Sequence, residues 1–222
     1  MHHELVVASD AAAAARAAAT RIAEEARRAV AAHGAFSLAV SGGRTPQAMF
    51  ADLLDEQLPW VETSIFQVDE RIAPAGDPQR NLTSLEGSLG PTVPVAICPM
   101  PVNDADLVAA AARYAGALPT IIDVIQLGLG PDGHTASLVP GDDVLDVADR
   151  RVAITATTYQ GTKRMTLTYP ALTHCGLLLW LVTGADKREA LVQLLAGDLA
   201  IPAGRVVGPR SLVIADAAAA GS

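Results

Sequence analysis

Short apolar runs alternate with longer amphipathic stretches along most of this chain, the pattern of strands threaded between helices. The first element predicted is a helix over residues 11–32, where Ser9 or Asp10 stands as the cap, alanine dominates and Gly34 supplies a stop. Ile22, Ala26, Ala29 and Val30 continue an apolar face, and Arg21, Glu24, Glu25 and Arg28 fall mostly elsewhere, so the alanine tract reads as a packed helix. An apolar strand over 36–40 follows, then the loop SGGRTP (41–46) and a helix from Gln47 to Asp55. A strand over 64–68 ends in Asp69-Glu70-Arg71, and a loop containing Pro, Gly and Asn runs on to Asn81. Further along, the pattern predicts a helix over 105–118, strands over 121–127, 151–155, 164–168, 177–182 and 211–215, and a helix over 185–195.

Several of these strands are apolar almost throughout, as expected when helices cover both faces of a mostly parallel sheet. The fold class is therefore α/β, an open sandwich. With 222 residues, half of them hydrophobic and 18% charged, the chain has enough apolar surface to offset the ordering entropy, which excludes a disordered chain. One domain over residues 1–222 is expected; there is no internal repeat, and the Pro-rich span 91–101 is the weakest place for a boundary.

Sixteen Lys and Arg against 24 Asp and Glu give a formal net charge of −8, so no overall field gathers nucleic acid or anionic lipid. An anionic small ligand would need a few local donors in a preorganised pocket. Cys98 and Cys175 form no CxxC pair, so no zinc site or disulfide framework is expected and a reduced cytosol fits. The start MHHELVV has no basic region followed by a long apolar one, and no segment supplies the ~20 apolar residues of a membrane span. The expectation is a soluble, cytoplasmic protein with no nucleic-acid or membrane partner and no metal.

In such sheets ligands bind beyond the carboxyl ends of the strands, and four polar segments share that position: 41–46, 69–71, 128–135 and 183–187. In the first, Gly42 and Gly43 free backbone N–H groups, Thr45 stands to cap the helix and Pro46 suits its first turn, so Ser41, Arg44 and Thr45 with the helix N-terminus form a cradle for phosphate. A plain strand-to-helix turn uses the same residues, and the segment alone does not choose. Lys187 sits in a first helical turn, where the dipole disfavours a cation unless an anion is bound; a lone solvent-facing Lys is the alternative. Residues 128–133 spell GxGxxG, but Pro131 and Asp132 stand where backbone must face a pyrophosphate, which argues against a dinucleotide site.

His134 follows that Gly-rich loop, and an imidazole there is the candidate general base. His2, His3, His33 and His174 are read as structural or exposed. A carboxylate from Asp69 or Glu70 could orient the ring across the sheet top. No GxSxG elbow, HExxH pair or P-loop lysine is present.

At SGGRTP, VDER (68–71), Asn81, GLGPDGHTASLVP (128–140), Arg164 in RMTLT, VTGADK (182–187) and the closing Asp216-Ala217-Ala218, the sequence resembles the 6-phosphogluconolactonases. It departs from their pattern at Arg80, where a Ser is usual, and in the Ala- and Pro-rich loop 72–78. The resemblance implies a Rossmann-like fold, no required cofactor, and hydrolysis of the small-molecule substrate 6-phospho-D-glucono-1,5-lactone by a chain expected to be a monomer. On that likeness His134 activates water, Asp69 or Asp132 orients it, and Arg71 or backbone N–H groups stabilise the oxyanion. Ser41, Gly42, Gly43, Arg44 and Thr45, with Lys187 and Arg164, would hold the phosphate, and Asn81, Gly130 and Gly133 would line the substrate. Glucosamine-6-phosphate deaminases are similar but place a Glu before the closing Pro of the His loop, where this chain has Val139. A deaminase-like isomerase and a non-catalytic sugar-phosphate sensor are the alternatives. If the GxGxxG string is loop geometry only, titration with NAD or NADP at micromolar concentration gives no saturable signal; stoichiometric binding would restore the dinucleotide reading.

Overall fold

The structure, a computed structural model, describes residues 3–90 and 92–221, so the expectations for Met1 and His2 and for the Pro91 end of the Pro-rich span lie outside the described residues. In chain order the elements begin with β1 (Glu4–Ala8), α1 (Ala11–His33), β2 (Phe36–Val40), α2 (Arg44–Leu54), β3 (Thr63–Gln67) and β4 (Asp69–Arg71). Next come α3 (Asn81–Leu89), β5 (Ala96–Cys98), α4 (Leu107–Ala117), β6 (Ile122–Leu127), β7 (Val152–Ile154) and β8 (Arg164–Leu167). The chain closes with α5 (Tyr169–Leu172), β9 (Cys175–Val182), α6 (Arg188–Ala196), β10 (Ser211–Asp216) and α7 (Ala217–Ala220).

Seven strands form one sheet in the order β1-β10-β9-β6-β2-β3-β5, every pair parallel, with a crossover wherever chain order breaks. Because side chains alternate along a strand, each apolar run feeds two cores. Leu177, Leu179 and Leu181 of β9 join Leu38 and Val40 of β2 beneath α1 and α2, while Leu178, Trp180 and Val182 join Ala39 on the face covered by α4 and α6. Running apolar sequence is thus the mark of burial on both sides. Among the described residues no helix is long and apolar enough to cross a membrane.

The alanines of α1 have a packing reason: Ala14, Ala15, Ala18, Ala19, Ala23 and Ala26 are fully buried with Ile22, so the helix axis can lie close to the sheet. Asp10, rather than Ser9, is the cap, accepting from Ala13 N at 2.8 Å, and Gly34 closes the helix at φ 82°. Glu25 departs from the expected solvent face. It is 9% exposed and bound by Arg21 at 3.1 Å, Arg28 at 3.0 Å and Arg210 at 2.8 Å, the last from the loop before β10.

Six elements went unread in the sequence, the short helices α5 and α7 among them, and the other four depend on distant partners. β1 and β5 are edge strands completed by β10 and β3, and β5 lies within the span expected to be the weakest. The helix α3 has no side-chain cap of its own; the Glu70 carboxylate accepts from Asn81 N at 2.8 Å and Leu82 N at 2.9 Å and supplies one from outside. Asp69–Arg71 is not the tail of a strand in the main sheet but β4, which pairs antiparallel with β8, and β8 with β7. The strands expected over 151–155 and 164–168 therefore leave the parallel sheet for a three-stranded one.

Burial would raise the Glu25 carboxyl, but Arg210, Arg21 and Arg28 outweigh it and hold it below the ordinary range. A carboxylate depressed on folding contributes stability above its unfolded pKa, lost as pH falls through the folded value. Glu25→Gln is expected to cost about 1–3 kcal/mol at pH 7, since its arginines are partly solvated. Urea unfolding at pH 7 and pH 3 should show the gap from wild type closing at the lower pH.

Candidate active site

All seven parallel strands point their carboxyl ends to one edge of the sheet, and a cavity of about 720 Å³ opens there. Its floor is the turn from β2 into α2. Gly43, at φ 119°, precedes the first turn of α2, and a Cβ on Gly42 would stand 2.0 Å from Asn81 Oδ1, so this backbone approaches its neighbour as only glycine allows. Ser41 ties the end of β2 to β6: its N–H donates to Gln126 Oε1 at 3.1 Å and its hydroxyl to the Gln126 carbonyl at 3.1 Å. Thr45 is not the expected cap. It lies inside α2, its hydroxyl 2.8 Å from that of Thr183. Across the cradle, Lys187 Nζ lies 3.0 Å from Asp186 Oδ2. The Thr183-Gly184 turn is fixed by Asp216, which accepts from Gly184 N at 3.0 Å and also caps α7 through Ala219 N at 2.8 Å.

A second wall comes from β4. Glu70 does not meet His134: fully buried, it takes hydrogen bonds from Gln67 Nε2, Arg71 N, Asn81 N and Leu82 N, with Arg80 Nε at 3.3 Å. Arg80, the departure from the resembled pattern, is itself 4% exposed and completes this carboxylate's shell. Asp69 also lacks a bond to His134; Ser137 Oγ donates to it at 2.6 Å and Asn81 Nδ2 at 3.1 Å, and Arg164 Nη1 lies 3.8 Å away. Burial pushes the Asp69 carboxyl above the usual range despite those donors. Asn81 Oδ1 in turn accepts from Arg71 Nη1 at 2.8 Å, so Asp69, Asn81 and Arg71 form one linked wall.

The loop after β6 carries His134. Gly130 N donates to the His134 carbonyl at 2.8 Å and Gly133 N to that of Gly130 at 3.0 Å, folding the loop back on itself. Asp132 Oδ1 lies 2.5 Å from His134 Nδ1 and also accepts from His134 N at 3.2 Å. A carboxylate only accepts, so Nδ1 carries a proton and, in the neutral ring, Nε2 carries the lone pair. Burial would raise the Asp132 carboxyl, but the bonds from His134 prevail and keep it low. No metal-binding group of three or more His, Cys, Asp or Glu occurs among the described residues.

A family model described as glucosamine-6-phosphate isomerases/6-phosphogluconolactonase matches residues 9–214. The chain belongs to this family. A 6-phosphogluconolactonase of Nostoc sp. is 34% identical over 204 residues, covering 84% of each protein. The solved structure of a 6-phosphogluconolactonase from Thermotoga maritima superposes with TM-score 0.86 at 23% identity over 96% of this chain and 99% of that one. A monomeric glucosamine-6-phosphate deaminase superposes as closely, with TM-score 0.85 at 19% identity over 98% and 99% of the two chains. Within the isomerase/lactonase family the fold is therefore shared, and the side chains at the sheet edge must decide the chemistry.

Most of the residues singled out in the sequence meet in this one cavity. Ser41 to Thr45, Asp69, Arg71, Asn81, Gly130, His134, Arg164 and Lys187 all line it, while Asp132 and Gly133 stand behind the His134 ring and backbone. Tyr159, Gln160 and Asp216 line it too, the first two unread. Their signal was faint: within the link between β7 and β8, Tyr159 and Thr162 pair across Gln160-Gly161, where positive φ at both (51° and 86°) makes a two-residue turn, but Gln is a poor marker for that conformation.

A Cβ on Gly130 would fall 2.0 Å from His134 Nδ1 and 2.7 Å from Asp132 Oδ1. Gly130→Ala should therefore break the His134–Asp132 pair at a stability cost of about 1–3 kcal/mol. Gly87→Ala, in an α3 position with nothing within 4 Å, should instead gain about 0.5–1 kcal/mol. Denaturant unfolding and the histidine ring resonances of the two variants read the contrast.

Proposed function

We propose that this chain hydrolyses 6-phospho-D-glucono-1,5-lactone to 6-phospho-D-gluconate. The observation that carries the reading is the Asp132–His134 pair, 2.5 Å apart, in the wall of a cavity whose floor is a cationic, glycine-lined cradle. The name of the Nostoc relative supports it, as does Val139, an apolar residue where a ring-opening isomerase would carry another proton carrier.

The 6-phosphate occupies the cradle, held by Lys187, Arg44 and the first N–H groups of α2. His134 Nε2 takes a proton from water as its oxygen bonds to C1 of the lactone, and the Asp132 carboxylate stabilises the imidazolium that forms. Arg71, oriented by Asn81, stabilises the oxyanion. The C1–O5 bond then breaks, His134 returns its proton to O5, and the carboxylic acid formed ionises. Asp69, raised by burial, keeps the Ser137–Asn81–Arg71 wall in place and does not act as the base.

The same reading takes residues 1–222 as one cytoplasmic unit, working as a monomer without cofactor or metal, and with no nucleic-acid or membrane partner. Its net charge of −8 leaves anion recognition to the local cradle. The test is an assay on freshly prepared lactone, corrected for spontaneous ring opening, beside ammonia release from glucosamine 6-phosphate. Lactone opening should be catalysed and ammonia release should not; the reverse result makes this a deaminase. His134→Ala should lower kcat by about 10²–10⁴ while product binding persists. Near-normal turnover in that variant would remove His134 from the base role.

A further inference from the structure

The imidazole of His134 has little to rest on within its own loop, because Gly130 and Gly133 flank it and Asp132, whose side chain is 40% exposed, holds only one nitrogen. The remaining support comes from outside that loop. The Tyr159 ring meets the imidazole edge-on, with centroids 5.2 Å apart at 62°, and its hydroxyl stands 3.5 Å from Nδ1. That distance is too long for a strong hydrogen bond, so the contact rests on the ring and not on the hydroxyl.

Tyr159 is itself held. Arg164 lies 5.8 Å from the ring centroid on its face, and Arg164 Nη2 donates to the Tyr159 carbonyl at 3.0 Å. The turn that carries it is closed by Tyr159 N donating to the Thr162 carbonyl at 2.9 Å. At the foot of this hairpin Asp142 accepts from Ala156 N at 3.1 Å and from the N–H and hydroxyl of Thr157 at 2.8 and 2.6 Å. A half-buried aromatic at a turn tip, fixed on its face, at its carbonyl and through the base of its hairpin, is aimed at something. What it meets is the His134 ring.

We propose that Tyr159 is a positioning residue for His134: its ring locks the imidazole against Asp132 and screens the Nδ1 proton, while Arg164 braces Tyr159 from behind. The kinetic part rests on the lactonase reading; the spectroscopic part does not. Tyr159→Phe keeps the ring and should stay within about threefold of wild-type kcat, whereas Tyr159→Leu should lose about tenfold or more in kcat, with KM for the lactone little changed, as misplacing a catalytic group does. In proton NMR the downfield His134 Nδ1–H signal should be present in wild type and the Phe variant and lost to solvent exchange in the Leu variant. Tyr159→Met gives the same comparison should the Leu variant melt early. A Leu variant with wild-type kcat and an intact Nδ1–H signal overturns the proposal. So does a rise in KM with kcat unchanged, which would make Tyr159 part of the sugar-binding surface. Were wild type inactive on the lactone, the lactonase reading would fall alone, and the Nδ1–H comparison would still decide the role of Tyr159.

Discussion

Parallel alignment is the constraint from which the rest follows. A parallel sheet needs a crossover after every strand, and crossovers cover its faces with helices, so polar groups are driven to the ends of the strands. Here all seven strands of the main sheet share one direction, and every segment read as chemically active leaves a carboxyl end at the same edge. The three-stranded antiparallel sheet adds what the parallel one cannot. By leaving the main sheet at Val68, whose N–H still donates to the Val40 carbonyl at 3.0 Å, the chain turns Asp69 and Arg71 across the strand tops to form a side wall.

Carboxylates tie down the loops around the cavity. Glu70 gathers the start of α3, Asp142 the foot of the Tyr159 hairpin, and Asp216 the Thr183-Gly184 turn, each by accepting several hydrogen bonds from main-chain N–H groups. Burying a carboxylate is costly, and those donors offset the cost while fixing loop geometry. A site that must present donors to a transition state without reorganising needs this rigidity. The carboxylates therefore divide by surroundings: Asp132 is kept ionised by His134, whereas Asp69 is pushed towards its neutral form by burial.

Glycine and proximity set the limits of the centre. Gly42 lets the turn between β2 and α2 close on Asn81, and Gly130 leaves room for the imidazole to reach Asp132. The same absence of side chains that admits these contacts removes packing from His134, which is why a neighbouring hairpin has to supply it.

By itself the sequence determined the strand–helix alternation, the α/β class and the gathering of four polar segments at the strand ends, because burial on both faces writes itself as unbroken apolar runs and glycine marks close approach locally. It named His134, Lys187 and the SGGRTP cradle for that reason. It left open whether Asp69, Glu70 or Asp132 orients the imidazole, since residues at neighbouring positions differ only in where the folded backbone turns them. Only the tertiary structure gave that role to Asp132, turned Glu70 into a cap for α3, moved residues 152–154 and 164–167 into a second sheet and brought Tyr159 to the His134 ring. Apart from the Asp132–His134 pair, which lies within one loop, each of these is a contact between parts of the chain whose local sequence carries no trace of the partner. The Tyr159 contact, spanning 25 residues, depends on a turn whose Gln160 gives little local sign of the positive φ it adopts.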